Sequence, residues 1–368
     1  MHYPKHSIPA LIAAVLLASG PSQARTDFEI QGEYVGKLRS AAGAESDIAA
    51  QIVAERDGIF RVVFFPGGLP GAGWTGAGKS EAEAEMSGGF ARLIGEYTGT
   101  IDGDSLNAAK SPDATFALAK RERISPTMGL KPPPEATILF DGSSIVAWTN
   151  ASMDSAGNFA PLEREATTLK RFSDFSLHLE YRVPFLPHLV GQSRANSGLR
   201  LITDKVIFAE MQILDSFGGE PGTEDCGGIE GRFPPLVMAA FPPMAWQTLD
   251  VQMTSPPPTD TTDVGGAKLT IWHNGIMIHP GRKMDYWGSW VTIGLQNLSA
   301  PGAFRNIWVV EGNDAYPFPG VGIRPDRSAR MDAGRSRFTR PAGNSVRLHG
   351  PEGWYRADGA KAGGPEGF

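Results

Sequence analysis

Residues 209–215 read Ala-Glu-Met-Gln-Ile-Leu-Asp, and the alternation within them is the most direct sign of chemistry in the chain. Successive side chains of a strand point to opposite faces, so Glu210 and Gln212 share one face and Met211 and Ile213 the other. Met211 and Ile213 are expected to pack between sheets, leaving Glu210 and Gln212 on a solvent-open face. Arg200 stands likewise opposite Leu199 and Leu201, and Gln296 faces away from Ile293 and Leu295. A carboxylate, a guanidinium and two amides on one sheet face supply the dense set of donors and acceptors that a polyhydroxylated ligand requires. Trp148, Trp272, Trp287, Trp290 and Trp308 could add a stacking surface. The same polar residues also suit the wet face of a sandwich that binds nothing.

Other reactive side chains carry less. Asp215 closes its strand before the loop Ser216-Phe217-Gly218-Gly219, a position where carboxylates are reasonable catalytic candidates. It is five residues from Glu210, which puts the two on opposite faces of a regular strand. A paired-carboxylate glycosidase would therefore need a bulge or another acid. The single cysteine, Cys226, has no histidine near it in sequence and reads as structural. The seven histidines show no metal-ligand spacing, so neither a metal nor a cofactor is expected.

The elements that must hold these residues are strands. Residues 175–183, 197–202, 246–253, 268–273 and 304–310 all alternate apolar and polar side chains, the pattern of half-buried strands. Asn274-Gly275 makes a tight hairpin turn into 276–279. Many strands without helical periods between them predict an all-β protein with an antiparallel sandwich or jelly roll over 137–314. Ahead of it, residues 25–125 read as a smaller β-rich domain. Arg56-Asp57-Gly58 joins two of its strands, and Lys79–Met86 is expected to form one short helical turn. Lys131-Pro132-Pro133-Pro134 marks a stiff linker over 126–136. Beyond about 315 the strand pattern fails. Arg324, Arg327, Arg330, Arg335, Arg337 and Arg340 sit among Gly, Pro and Ser, reading either as a solvated tail or as a basic arm for an anionic surface or a partner subunit.

The N-terminus predicts export. Lys5 precedes the apolar run 10–18, and Ser22-Gln23-Ala24 offers small residues for cleavage near Ala24, the three parts of a signal peptide. The run is too short to span a bilayer, and no other stretch is apolar enough to do so. A periplasmic or secreted location follows as the expectation. The net charge of -6 argues against nucleic acid as a partner.

Several of these segments together resemble one family. Leu139-Phe140-Asp141-Gly142 with Trp148, Phe172-Ser173-Asp174-Phe175 with Glu180-Tyr181-Arg182, and Asn196-Ser197-Gly198-Leu199 stand in its order. So do Glu210–Asp215, Trp246-Gln247, Asn274-Gly275, Leu295-Gln296 and Phe304-Arg305-Asn306-Ile307-Trp308. Over about 135–312 the chain is similar to the 3-keto-disaccharide hydrolase family, whose fold is similar to that of concanavalin-like lectins and glucanases. The resemblance implies glycosides oxidised at C3. A ketone there acidifies the C2 hydrogen, so a base can start elimination of the glycosidic oxygen, with water added afterwards. It implies Glu210 or Asp215 as base, Arg200 or Arg305 at the enolate, and Gln212 and Gln296 on substrate hydroxyls; of the stacking tryptophans, Trp272 is the one expected to bind substrate. Two positions depart from the family's pattern: Leu298 stands where a histidine is usual, and Ala209 where a tyrosine is. The departures keep open a sugar-binding protein without catalysis. An ordinary endoglucanase is a third reading.

Overall fold

The computed structural model describes residues 25–319, apart from 77, 205, 256–265, 286–289, 299–301 and 313–315, and the backbone of 347–350, 353–356 and 361–362. The expected signal peptide, Trp287 and the six arginines of the tail lie outside the described residues.

Eight antiparallel strands close into a barrel: β1 (Gly32–Ser40), β2 (Glu45–Arg56), β3 (Ile59–Pro66), β4 (Ser80–Ser87), β5 (Phe90–Ile94), β6 (Thr98–Ile101), β7 (Ser105–Lys110) and β8 (Ala114–Arg121). Its interior is filled by alternate residues such as Ile48, Ile52, Phe60, Phe64 and Phe116. The helical turn expected within Lys79–Met86 is instead β4. Glu and Ala favour a helix in isolation, but here their strict alternation buries Ala82 and Ala84 and exposes Glu81, Glu83 and Glu85. Pairing with β3 and β5 closes the barrel and overrides the weak local preference.

The second layer system is a two-sheet sandwich. Its strands are β9 (Thr137–Phe140), β10 (Trp148–Thr149), β11 (Ala151–Met153), β12 (Phe159–Pro161), β13 (Glu165–Thr168), β14 (Phe175–Arg182), β15 (Ser197–Thr203), β16 (Val206–Ile213), β17 (Gln247–Thr254), β18 (Lys268–His273), β19 (Ile276–Lys283), β20 (Thr292–Gln296) and β21 (Ala303–Glu311). A five-stranded sheet runs β10-β13-β20-β15-β16 and the larger sheet runs β11-β12-β21-β14-β17-β18-β19, with β9 on β21. Leu199, Met211, Ile213, Ile293 and Leu295 from the first sheet meet Leu177, Leu179, Leu249, Val251 and Ile271 from the second in one core. The observed fold is all-β and antiparallel, as the alternation predicts. No described helix is long and apolar enough to cross a membrane.

The outer face of the larger sheet is not half-exposed as expected. In β14, Ser176, His178 and Glu180 are all buried. The segment before β9 covers them: Thr127 Oγ1 donates to Asp250 Oδ2 at 2.8 Å, the Gly129 amide to Glu180 Oε1 at 2.6 Å, and Asn306 Nδ2 to the Leu130 carbonyl at 3.0 Å. Barrel and sandwich belong to one compact unit. Strand β2 is buried on both sides, with Ala49, Gln51 and Val53 turned away from the barrel interior. Trp74, after β3, packs against the sandwich core. Arg61 Nη1 donates to the Gly218 carbonyl at 3.0 Å. The second unit, from residue 325, carries three short antiparallel strands in the tail where none is expected: β22 (Arg347–Gly350), β23 (Gly353–Arg356) and β24 (Lys361–Ala362).

Candidate active site

The register of the five-stranded sheet turns scattered polar residues into two rows. Glu165 pairs with Gln296 across β13 and β20, and Gly198 pairs with Gln212 across β15 and β16. Because Leu199 pairs with Leu295, Gly198 and Gln296 are also neighbours. The adjacent row runs Thr167, Gly294, Arg200, Glu210. All the polar members lie on the side opposite the Leu199, Met211 and Leu295 core.

Arg200 organises this face. Its Nε donates to Glu210 Oε2 at 2.8 Å and its Nη1 to Glu165 Oε2 at 3.2 Å, so one guanidinium joins carboxylates from β13 and β16. Gly198 leaves room between them. A Cβ there would lie 2.7 Å from Glu210 Oε1 and 2.9 Å from Gln296 Oε1, closer than real side-chain contacts allow. Gln296 Oε1 is buried and accepts no hydrogen bond among the described residues. A buried amide oxygen left this way is ready for a donor such as a sugar hydroxyl.

The face is less open than the alternation suggests. Glu210 is 4%, Gln212 2% and Gln296 1% exposed. The loop after β16 doubles back as residues 227–230 and adds to the edge of the sheet. The Gln212 amide donates to the Gly228 carbonyl at 2.9 Å, and the Glu230 amide to the Glu210 carbonyl at 3.0 Å. Gly228 permits this return, since a side chain there would meet the Thr223 and Gly222 carbonyls within 2.6 Å. Gln192 lies over Gln212, its Nε2 3.4 Å from Gln212 Oε1, and also bonds the Glu224 carbonyl. Arg200 and Glu165 keep about a fifth of their side chains exposed, and Glu230 is exposed, so these three rim the approach to Glu210.

Burial sets the chemistry of Glu210. Loss of solvent raises its pKa, Arg200 pulls it back, and the neighbouring Glu230 carboxylate raises it again, to about 7. A carboxyl poised near neutrality can take or give a proton in the working range of an enzyme.

The other sequence candidates lie elsewhere. Arg305 is on β21 and points outward from the larger sheet, so a sandwich about 10 Å thick between sheets separates it from Glu210. There its Nε donates to buried Glu180 Oε2 at 2.7 Å, and its guanidinium stacks 3.9 Å from the Trp246 ring centre. Burial alone would raise Glu180, but hydrogen bonds with His178, Asn306 and Arg305 and from the Gly129 amide overcome it and hold it at about 2. His178 opposes its own burial through Asp250, 2.6 Å from Nδ1, and Glu180, and its pKa rises. Trp272 shares that outer face, packing on Phe318. Trp148 is in the core and donates Nε1–H to the Leu139 carbonyl, Trp308 stacks on His178, and Arg171 lies over Trp290. None of these tryptophans joins the row. Asp215 is sealed with Arg194, whose Nε is 2.7 Å from Oδ2, and burial raises its pKa.

Cys226 is buried, and burial pushes its thiol up to about 11, which keeps it a neutral thiol. Tyr181 Oη lies 3.3 Å from its sulfur and 2.7 Å from His273 Nε2. Burial lowers His273 to about 3, so this cluster holds no charged base. Leu298 is 47% exposed beyond β20. Among the described residues no group of three or more His, Cys, Asp or Glu side chains is placed to hold a metal. Glu165 and Glu230 are the members of the site that sequence reasoning missed. Glu165 could have been found from register with Gln296; Glu230 lies in a loop whose local sequence carries no strand alternation.

Curated proteins yield no match. Three solved structures from Parabacteroides distasonis ATCC 8503, each described provisionally as a glycosyl hydrolase, are similar to part of this chain. One is 28% identical, covers 50% of this chain and 86% of its own, and has a TM-score of 0.42. The others are 15% and 18% identical, cover 49% and 48% of this chain and 94% and 99% of their own, and both have a TM-score of 0.37. Residues 135–310 match the family model described as a 3-keto-alpha-glucoside-1,2-lyase-like domain. Those matched residues span the whole polar row, so the sandwich is similar to that family's domain.

Proposed function

We propose that this protein cleaves glycosides oxidised at C3 by elimination followed by hydration. The observation that carries the reading is Glu210: a carboxyl held near pKa 7, fixed by Arg200 and set beside the unsatisfied oxygen of Gln296. In this reading the Glu210 carboxylate removes the C2 proton that the ketone has acidified. Arg200 favours the resulting enolate by its charge, and Gln212 and Gln296 orient hydroxyls. The C1–O bond then breaks, the aglycone leaves with a proton, and water adds at C1. The leader expected in residues 1–24 would put this activity outside the cytoplasm.

Sugar binding without cleavage is the second reading, favoured by the low exposure of Glu210, Gln212 and Gln296. One assay separates the two. Purified protein is mixed with a chromogenic 3-keto-glucoside and with the unoxidised parent. Release from the keto sugar alone is expected. Release from neither, with sugar binding retained, would leave the binding reading, and release from unoxidised glucan would mean an ordinary glucanase.

A further inference from the structure

Glu230 stands directly beside Glu210 in the extended sheet. Met211 bridges Ile229, so the antiparallel register sets residue 230 opposite residue 210, and the Glu230 amide closes on the Glu210 carbonyl at 3.0 Å. Residues paired in this way turn their side chains to the same face, so the two carboxyls are neighbours, and Glu230 raises the pKa of Glu210. Two ionised carboxylates side by side repel, which favours a single proton held by the pair. Their surroundings differ: Glu210 is 4% exposed, while Glu230 faces solvent at the rim. The segment is held firmly. Ile229 and Phe233 exchange backbone hydrogen bonds, and the Gly231 amide reaches Glu224 Oε1 at 3.3 Å. The charged groups facing Glu210 are Arg200 from β15 and Glu230 from this segment, with Glu165 of β13 acting through Arg200.

We propose that Glu230 is the catalytic acid that complements Glu210, giving a proton to the departing glycosidic oxygen and taking one back from the water that replaces it. The inference rests on the 3-keto-glycoside reading above. In the reacting form Glu210 is the carboxylate and the proton of the pair is on Glu230. Glu210 takes the C2 proton, and the C2–H electrons form the C1=C2 bond through the enolate. The C1–O pair leaves on oxygen, which Glu230 protonates, releasing the alcohol. Water then bonds to C1 and yields a proton to Glu230, while Glu210 returns its proton to C2. The net reaction is hydrolysis, and the pair ends as it began.

Leaving-group dependence tests this. The wild type, Glu230→Gln and Glu230→Asp are each assayed on a methyl 3-keto-glucoside and a 4-nitrophenyl 3-keto-glucoside. Nitrophenolate departs without a proton, whereas methoxide needs one. Glu230→Gln is expected to lose about 10²-fold or more on the methyl glycoside and only about 3-fold on the nitrophenyl one, with partial recovery in Glu230→Asp. The acid limb of its nitrophenyl profile should move to lower pH, because the neighbour that hinders Glu210 ionisation is gone. Equal losses on the two substrates, or no loss on either, would overturn the role of Glu230 while leaving the function standing. A wild type inactive on both would overturn the function and this role with it. Melting curves for both variants guard against misfolding.

Discussion

Arg194 donates to Asp215 at 2.7 Å through Nε and to the Ala54 carbonyl at 3.1 Å through Nη2, so a single side chain ties the exit of β16 to the second strand of the barrel. The barrel thereby braces the loop that returns past Glu210. Arg61 on the Gly218 carbonyl adds a second brace from β3.

That pairing makes Asp215 a structural group. Arg194→Ala leaves a buried carboxylate without its partner and should cost about 3–5 kcal/mol. Asp215→Asn should cost less and keep kcat within about tenfold of wild type, since the residue is sealed away from the row. Thermal melts alongside kinetics check both. A loss of about 10³-fold in kcat by a well-folded Asp215→Asn would return Asp215 to the catalytic set.

For Glu210, a base with a pKa of about 7 should give, on the 4-nitrophenyl 3-keto-glucoside whose departure needs no acid, a kcat/KM that rises with pH through that value and levels above it. The carboxylate is the working form, so activity falls as acid protonates it. Glu210→Gln should lose roughly 10²–10⁴-fold and abolish that limb while the fold persists. Full turnover by the folded variant would remove Glu210 from the site.

Gly198→Ala tests the packing of the row without replacing a charged residue. The added methyl meets Glu210 Oε1 at 2.7 Å and Gln296 Oε1 at 2.9 Å, and the chain there is ordinary β-strand. Displacing both should cost on the order of 10²-fold in kcat/KM, because a misplacement near 1 Å has that effect, against a stability loss of about 1–3 kcal/mol. Kinetics indistinguishable from wild type would mean that these two groups do not act on substrate from their present positions.

Arg305 should matter for stability and not for turnover. Arg305→Ala removes a donor from buried Glu180 and should cost roughly 1–3 kcal/mol, with kcat unchanged. Glu180 also gives a pH signature. Its folded value of about 2 is below the ordinary 4.5, so its ionised form stabilises the fold above about 4.5. That contribution fades as pH falls toward 2. Urea titrations between those limits should show a shallower acid loss for Glu180→Gln than for wild type. Parallel slopes would mean that Glu180 is not the group responsible.

Much of the architecture was legible because strand alternation is local. Met211 and Ile213 had to go inward if Glu210 and Gln212 went outward, and the Asn274-Gly275 turn had only one easy geometry. Alternation is equally strong in β4, yet its Glu and Ala content masked it until neighbours on both sides made the barrel. What alternation cannot report is the sheet to which a strand belongs. Arg305 and Trp272 therefore looked like companions of Glu210 when they stand across the sandwich core from it.

The sequence alone determined an all-β chain, a family resemblance over its central region and a polar face bearing Arg200, Glu210, Gln212 and Gln296, because each follows from residue order and a two-residue period. Only the tertiary structure decided the rest: that Glu165 and Glu230 complete the row, that Asp215 belongs to Arg194, and that the face is covered and not open. Those relations depend on register between distant strands and on a loop returning to a sheet edge. They also set the burial on which the proton affinity of Glu210 depends.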